Sequence, residues 1–292
     1  MRALAPIPVV LETIRFSHSI FALPFALVGA LLAARGWPDG RTLLLLVACV
    51  VAARSAAMGW NRLADRELDA RNPRTASRAL PAGRISPRFV RLFVAGNALA
   101  FLLLASALSP LCGALALPVL GLLLGYSHLK RRVAGTHFVL GAALGVAPLG
   151  AWLAVRGSFE GDLASPLLLA LAVALWVAGF DLIYACQDVA FDRREGLRSI
   201  PARLGVAGAL RLSSALHAAV VPLLLAVAAR AGLGAPTYAG IGLVAALLLV
   251  EHLLVRPRDL SRVNAAFFTV NGWISVAFFL AVWADFAFRG KA

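Results

Sequence analysis

Charge is what this chain has least of. Only 14% of its 292 residues are charged, against about 25% in an average soluble domain. A further 61% are hydrophobic. A water-soluble core cannot hide that much apolar surface, so a bilayer must be the solvent for most of it. Acidic residues are scarcer still, 14 against 28 Lys and Arg, which leaves a net charge of +14. A pI near 11.4 would suit nucleic acid. The basic residues, however, sit in short gaps between apolar stretches, not along one helix face or in a tail, which argues against that partner. Anionic lipid headgroups and phosphate-bearing ligands account for the charge more simply. Cysteine is also sparse. Cys49, Cys112 and Cys186 are far apart with no CxxC, which excludes a disulfide framework or a thiolate zinc site and leaves them as small hydrophobes. Arg2, Glu12 and Arg15 precede the first apolar run without a clear small-residue cleavage site, so this stretch reads as an amphipathic lead-in and not a removable signal.

What is abundant is apolar sequence in runs of one length. They fall at about 17–35, 41–58, 89–108, 110–127, 134–155, 164–184, 207–229, 235–255 and 264–286. Each approximates the ~20 residues that cross a ~30 Å hydrocarbon layer. Helix breakers mark the junctions, among them Pro38-Asp39-Gly40, Ser109-Pro110, Gly157, Gly161 and Gly232 to Pro236. The expected fold is all-α, a multi-pass bundle of about nine transmembrane helices.

The gaps alternate in character. Those at 36–40, 109–110, 156–163 and 230–234 are short and poor in charge, whereas 59–88, Lys130-Arg131-Arg132, 185–206 and Arg256 to Arg262 are long or basic. With the N-terminal arginines and the adjoining Arg91 and Arg211, 21 of the 28 Lys and Arg fall on one side. The positive-inside rule places the N-terminus and the charged loops in the cytoplasm, as in a bacterial inner membrane protein.

Two of these loops resemble each other. Asp65-Arg-Glu-Leu-Asp69-Ala-Arg71 leads to Leu80-Pro81-Ala82, and Asp188-Val-Ala-Phe-Asp192-Arg-Arg194 leads to Ile200-Pro201-Ala202. The correspondence suggests one domain over 1–292 built of two related halves, approximately 1–133 and 134–292. Asn61, Asp65 and Asp69 are spaced i, i+4, i+8, and Asp181, Asp188 and Asp192 by seven and four. On a helix either spacing projects its residues along one face. Carboxylates four apart repel unless a cation lies between them. Two facing pairs at a membrane surface therefore suit magnesium, which takes a few carboxylates together with water and phosphate oxygens. Arg71, Arg74 and Arg78 follow the first motif, Arg193, Arg194 and Arg198 the second, and Lys130, Arg131 and Arg132 join from another gap. Diphosphate is the natural partner of this mixture, since guanidinium forks its oxygens while metal bridges it to carboxylate. Asp181 is embedded in the apolar run 170–184. An acid there is costly and is a functional candidate by default. Glu251, His252, His217 and Arg54 also lie in or near apolar runs and are read as snorkelling or interhelical groups.

With these residues placed, the chain resembles the UbiA superfamily of intramembrane prenyltransferases over essentially its whole length. The family's first signature, Asn-x3-Asp-x3-Asp with a basic run after it, matches Asn61, Asp65, Asp69, Arg74-Thr75, Arg78, Leu80-Pro81 and Gly83. Its Tyr-x3-Lys element matches Tyr126 and Lys130, and its second Asp motif matches Tyr184, Asp188 and Asp192, with Asp181 upstream. One departure is Arg62, where many members carry Asp directly after the first Asn. The text from Asn61 to Thr75 is similar to the 4-hydroxybenzoate polyprenyltransferase-like branch, which includes enzymes of the futalosine route to menaquinone.

The resemblance implies transfer of a polyprenyl group from its diphosphate to an aromatic acid, either 4-hydroxybenzoate or 1,4-dihydroxy-6-naphthoate, in quinone biosynthesis. It implies Mg2+ held by Asn61, Asp65, Asp69, Asp188 and Asp192. Substrate would be bound by Arg71, Arg74, Arg78, Lys130, Arg131 and Arg194, with Arg15 as the candidate partner for the aromatic carboxylate. Asp181 and Tyr184 are the candidate catalytic pair, Asp181 orienting the phenol or taking the ring proton. Residues alone leave two rivals open: a secondary transporter, which would place acids near the bilayer midplane, and a membrane diphosphate phosphatase.

Overall fold

The computed structural model describes residues 7–129 and 133–289. Among them every named element is helical. In chain order these are α1 (Ile7–Thr13), a 3-10 turn (Phe16–Phe21), α2 (Leu23–Ala34), α3 (Gly40–Ala64), α4 (Arg66–Arg71), α5 (Pro87–Leu108), α6 (Pro110–Leu129), α7 (Thr136–Arg156), α8 (Ala164–Ala185), a 3-10 turn (Cys186–Asp188), α9 (Val189–Arg194), α10 (Ile200–Arg230), α11 (Ala235–Leu254), a π-helical turn (Ala265–Val270) and α12 (Asn271–Arg289). Eight helices are long and apolar enough to cross a membrane, and Ser19–Ala34 is a shorter apolar one. Together they correspond to the nine apolar runs.

Local chemistry explains where these helices begin. The Asp39 carboxylate accepts from the Thr42 amide at 3.0 Å and caps α3. Ser86 and Ser199 do the same for α5 and α10 through the amides of Phe89 and Ala202, each beside a proline in the first turn. Gly157 ends α7 at a positive φ of 69°. Gly205, at φ 70° and ψ 169°, interrupts α10, so the stretch from Ile200 is set off at an angle from the long span. That explains why the apolar run begins at about 207, after the helix itself does.

At the centre lies α8, with Leu169, Val173, Trp176, Val177 and Phe180 almost wholly buried. Trp176 packs against Phe25 at 5.1 Å between ring centroids and against Phe180 at 5.0 Å. Lipid-facing positions on the outer helices are correspondingly apolar and exposed, among them Leu44, Leu99, Leu117 and Leu253. Interhelical distances are set by glycine. A Cβ on Gly141 would lie 2.2 Å from the Ala174 carbonyl oxygen, and one on Gly145 2.5 Å from that of Ala170. These two glycines, one turn apart, let α7 press its backbone onto α8, as small residues do between membrane helices.

The motif helices differ from the sequence expectation in one respect. Spacings of four along Asn61, Asp65 and Asp69 suit an unbroken helix, but α3 stops at Ala64 and Asp65 is a joint at φ −93°, ψ 3°. Asp188 is the matching joint between α8 and α9, at φ −100°, ψ 4°. Both lie in the bridge region between helix and strand. The Asp65 amide keeps its bond to the Asn61 carbonyl at 2.9 Å, and the Asp69 amide bonds the Asp65 carbonyl at 2.7 Å. At the first joint these two amides therefore stay bonded through the bend.

Candidate active site

Where α3, α6, α7 and α8 converge with the 72–78 loop there is a cavity of about 240 Å³, lined by polar residues at the motif end. Asn61, Asp65, Asp69, Arg74, Arg78, Asp181, Tyr184 and Asp188 all line it. The two motifs, more than a hundred residues apart in sequence, thus face one space. A second cavity of about 400 Å³ is lined almost entirely by apolar side chains, including Cys49, Ala53, Phe101, Ala116, Ala147 and Ala151. Arg54, Met58, Tyr126, Leu140 and Leu144 line both cavities, so the polar chamber adjoins the greasy one.

Carboxylates and guanidinium groups in the polar chamber are interlocked. Arg74 forks Asp188, with Nε donating to Oδ1 at 2.9 Å and Nη2 to Oδ2. Its Nη1 donates to the Tyr184 hydroxyl at 2.8 Å. Burial is the largest single influence and pulls the Arg74 guanidinium down, but the hydrogen bonds and charge interactions with Asp188 and Tyr184 together outweigh it and hold the group above its ordinary value. Asn72 donates to Asp188 Oδ1 at 3.0 Å. On the first motif, Arg78 Nη1 bridges both Asp69 oxygens at 2.7 and 2.8 Å, and Arg62 Nη1 lies 3.8 Å from Asp69. Asn61 donates to Asp65 at 3.2 Å and to Ser127 at 3.5 Å. Asp181 accepts a 2.6 Å hydrogen bond from His137.

Four expected site residues lie elsewhere. Asp192 is only 2% exposed and does not line the cavity. Arg71 pairs with Glu195 at 2.9 Å on the surface. Arg194 is exposed, stacks over Phe191 at 5.5 Å and does not line the cavity. Arg15 also lies outside the cavity, in a left-handed conformation at φ 49°, and its carbonyl accepts from Arg54 Nη2 at 3.3 Å. Lys130 and Arg131 fall outside the described residues. Conversely, Arg54, Arg62, Asn72, Ser127 and His137 line the polar chamber without having been singled out for it. Arg54 Nε is buried with no partner among the described residues. A lone arginine in an apolar run looks like a snorkelling group, and the signal that distinguishes it is its register: it lies seven residues before Asn61, on the same face of α3.

The donor set suits a hard divalent cation only in company. Asp65, Asp69, Asp188 and Asn61 offer oxygen ligands, yet among the described residues no three His, Cys, Asp or Glu side chains form a metal cage by themselves. Magnesium, which keeps few protein ligands and completes its shell with phosphate and water, fits such a site better than a metal that demands an all-protein cage.

Residues 22–283 match the model of the UbiA prenyltransferase family. The chain is 32% identical over 263 residues to 4-hydroxybenzoate octaprenyltransferase of Methylobacillus flagellatus, covering 90% of this chain and 87% of that protein. It is 36% identical to the Xanthomonas campestris protein of the same name, covering 88% and 84% respectively. A UbiA homolog from Aeropyrum pernix K1, solved in its apo form, superposes with a TM-score of 0.83 at 38% identity, covering 92% of this chain and 98% of that one. A UbiA homolog from Archaeoglobus fulgidus bound to GPP and Mg2+ shares the fold, with a TM-score of 0.73 at 20% identity over 96% of this chain and 99% of that one. The chain belongs to the UbiA prenyltransferase family and is an integral membrane protein.

Proposed function

We propose that the chain transfers a polyprenyl group from polyprenyl diphosphate to 4-hydroxybenzoate in quinone biosynthesis. The observation that carries this reading is the pairing of chambers: acids and arginines from both motifs line a polar cavity that adjoins an apolar one. Diphosphate belongs in the first and the start of the prenyl chain in the second. The names of the relatives at 32% and 36% identity support the acceptor.

In this reading Asp65, Asp69, Asp188 and Asn61 hold Mg2+, the ion that accompanies GPP in the Archaeoglobus fulgidus structure. When bound, the ion neutralises the leaving diphosphate. Arg74 and Arg78, which pair with Asp188 and Asp69, bind its oxygens and stabilise the charge that builds as the C–O bond breaks. The apolar wall keeps water from the allylic cation. The aromatic ring attacks through the carbon ortho to its hydroxyl, and Asp181 takes the ring proton. Arg54, in place of Arg15, is the partner of the aromatic carboxylate, because it lines the cavity and its Nε is buried without a partner among the described residues. Each half of the chain, approximately 1–133 and 134–292, supplies one aspartate joint to a shared site. The N-terminus and the motif loops lie on the cytoplasmic face of a bacterial inner membrane, a reading supported by the bias of basic residues to that side.

The test is turnover of labelled polyprenyl diphosphate in detergent with 4-hydroxybenzoate, 1,4-dihydroxy-6-naphthoate or no acceptor. Prenylated 4-hydroxybenzoate is expected. Exclusive use of the naphthoate would move the acceptor assignment, and free prenol without any acceptor dependence would replace transfer by hydrolysis.

A further inference from the structure

His137 opens α7 at its second residue and lines the same cavity as Asp181. Its side chain is 5% exposed, that of Asp181 is 23% exposed, and their Nδ1 and Oδ2 atoms lie 2.6 Å apart. Among the described residues no other group hydrogen-bonds Asp181. The contact is built by the backbone. His137, Gly141 and Gly145 follow one another at intervals of four on α7, and the two glycines press that face onto Ala174 and Ala170 of α8. Asp181 lies seven residues beyond Ala174, two turns further along the same face of α8. The close approach of the helices therefore delivers the imidazole to the carboxylate.

The tautomer follows from the surroundings. His137 Nε2 is buried and has no partner among the described residues. Placing the proton on Nε2 would orphan a donor and set two acceptors against each other at 2.6 Å. The arrangement without that conflict has Nδ1–H donating to Asp181.

We infer that His137 is a positioning residue for prenyl transfer, fixing the Asp181 carboxylate so that its remaining lone pairs face the aromatic ring. The inference rests on the reading of Asp181 as proton acceptor. In that step the ring carbon forms its bond to the allylic carbon, and the diphosphate departs with the electron pair of the broken C–O bond. The ring C–H bond then breaks, its electron pair restoring aromaticity while its proton bonds to an Asp181 oxygen. His137 keeps its own proton throughout and exchanges nothing with substrate. Without it, Asp181 is free to rotate towards Arg54 or Tyr126, which line the same space.

The experiment compares His137→Leu, His137→Asn, Asp181→Asn and the double variant His137→Leu/Asp181→Asn. Each is assayed for kcat, for KM of both substrates and for melting temperature in detergent. Loss of positioning predicts that His137→Leu lowers kcat about 10²-fold with KM for polyprenyl diphosphate unchanged. His137→Asn, which offers an amide donor close to the Nδ1 position, recovers most of that loss. The double variant is no slower than Asp181→Asn alone, because the two groups act as one. A His137→Leu protein that keeps its kcat while Asp181→Asn is inactive overturns the inference and leaves the reading of Asp181 intact. An Asp181→Asn protein with full activity overturns the reading of Asp181 itself. Equal loss in His137→Asn and His137→Leu, tracking melting temperature, assigns His137 to packing and also overturns the inference.

Discussion

At the scale of single residues, the site is a set of pairings: guanidinium groups hold Asp69 and Asp188, Asn61 donates to Asp65, and His137 holds Asp181. Arg74 can fork Asp188 because guanidinium is planar; an ammonium has no such geometry. Arg74→Lys is therefore expected to raise KM for polyprenyl diphosphate about tenfold or more, although charge is conserved. A steady-state titration of that substrate checks it. Asp65→Ala and Asp188→Ala are expected to lower kcat by at least ~10²-fold while the protein still elutes as a folded species from size exclusion. Near-normal turnover in either would take that residue out of the metal site. Arg54→Met should raise KM for the aromatic acid selectively, and Arg15→Ala should not. The reverse pattern would restore Arg15 as the carboxylate partner. Most of these side chains were legible from spacing alone, since acids four apart beside arginines are rare in a chain with 14 acidic residues. His137 was not, because one polar residue in an apolar run carries no pattern until the helix it faces is known, and Arg54 offered only its register with Asn61.

At the scale of elements, the spans were legible because a bilayer demands apolar runs of one length. The joints were not. Nothing in Asp-x3-Asp distinguishes a continuous helix from one that bends at its first acid, and the amides of Asp65 and Asp69 keep their bonds through the bend. Once the helix leaves hydrocarbon, water can satisfy any group the bend exposes, so neither hydropathy nor propensity marks it. The glycine stripe on α7 is a different case. Its spacing was visible, but which helix it met was not. A methyl group on Gly141 would lie 2.2 Å from a backbone oxygen that cannot rotate away. Gly141→Ala is expected to destabilise the bundle by about 1–3 kcal/mol and to slow turnover by withdrawing His137 from Asp181. Gly121→Ala, where no neighbour lies within 4 Å, should do neither. Thermal melts in detergent beside kcat would show whether α7 carries this strain.

At the scale of the whole molecule, the basic loops predict which end faces the cytoplasm. Ser77→Cys, at an exposed position in the first motif loop, should react with a membrane-impermeant maleimide in inverted vesicles and not in intact spheroplasts. Glu160→Cys, on the connection between α7 and α8, should show the opposite pattern. Identical labelling of both would overturn the orientation. A chelator is expected to abolish turnover without lowering the melting temperature, because among the described residues no cage of protein ligands holds the helices together. Mg2+ should restore activity.

The adjoining chambers also bear on a problem of selection. Nucleotides outnumber isoprenoids in most cells and offer the same phosphorus anhydride to a ring of arginines and acids, so the charged end cannot tell them apart. Hydrocarbon can. At about 0.8 kcal/mol per buried CH2, one five-carbon unit drawn into the 400 Å³ hollow is worth about 4 kcal/mol, close to a thousandfold preference. A sugar-linked rival would have to strand its hydroxyls in that same oil. The grease is thus a filter as well as a berth.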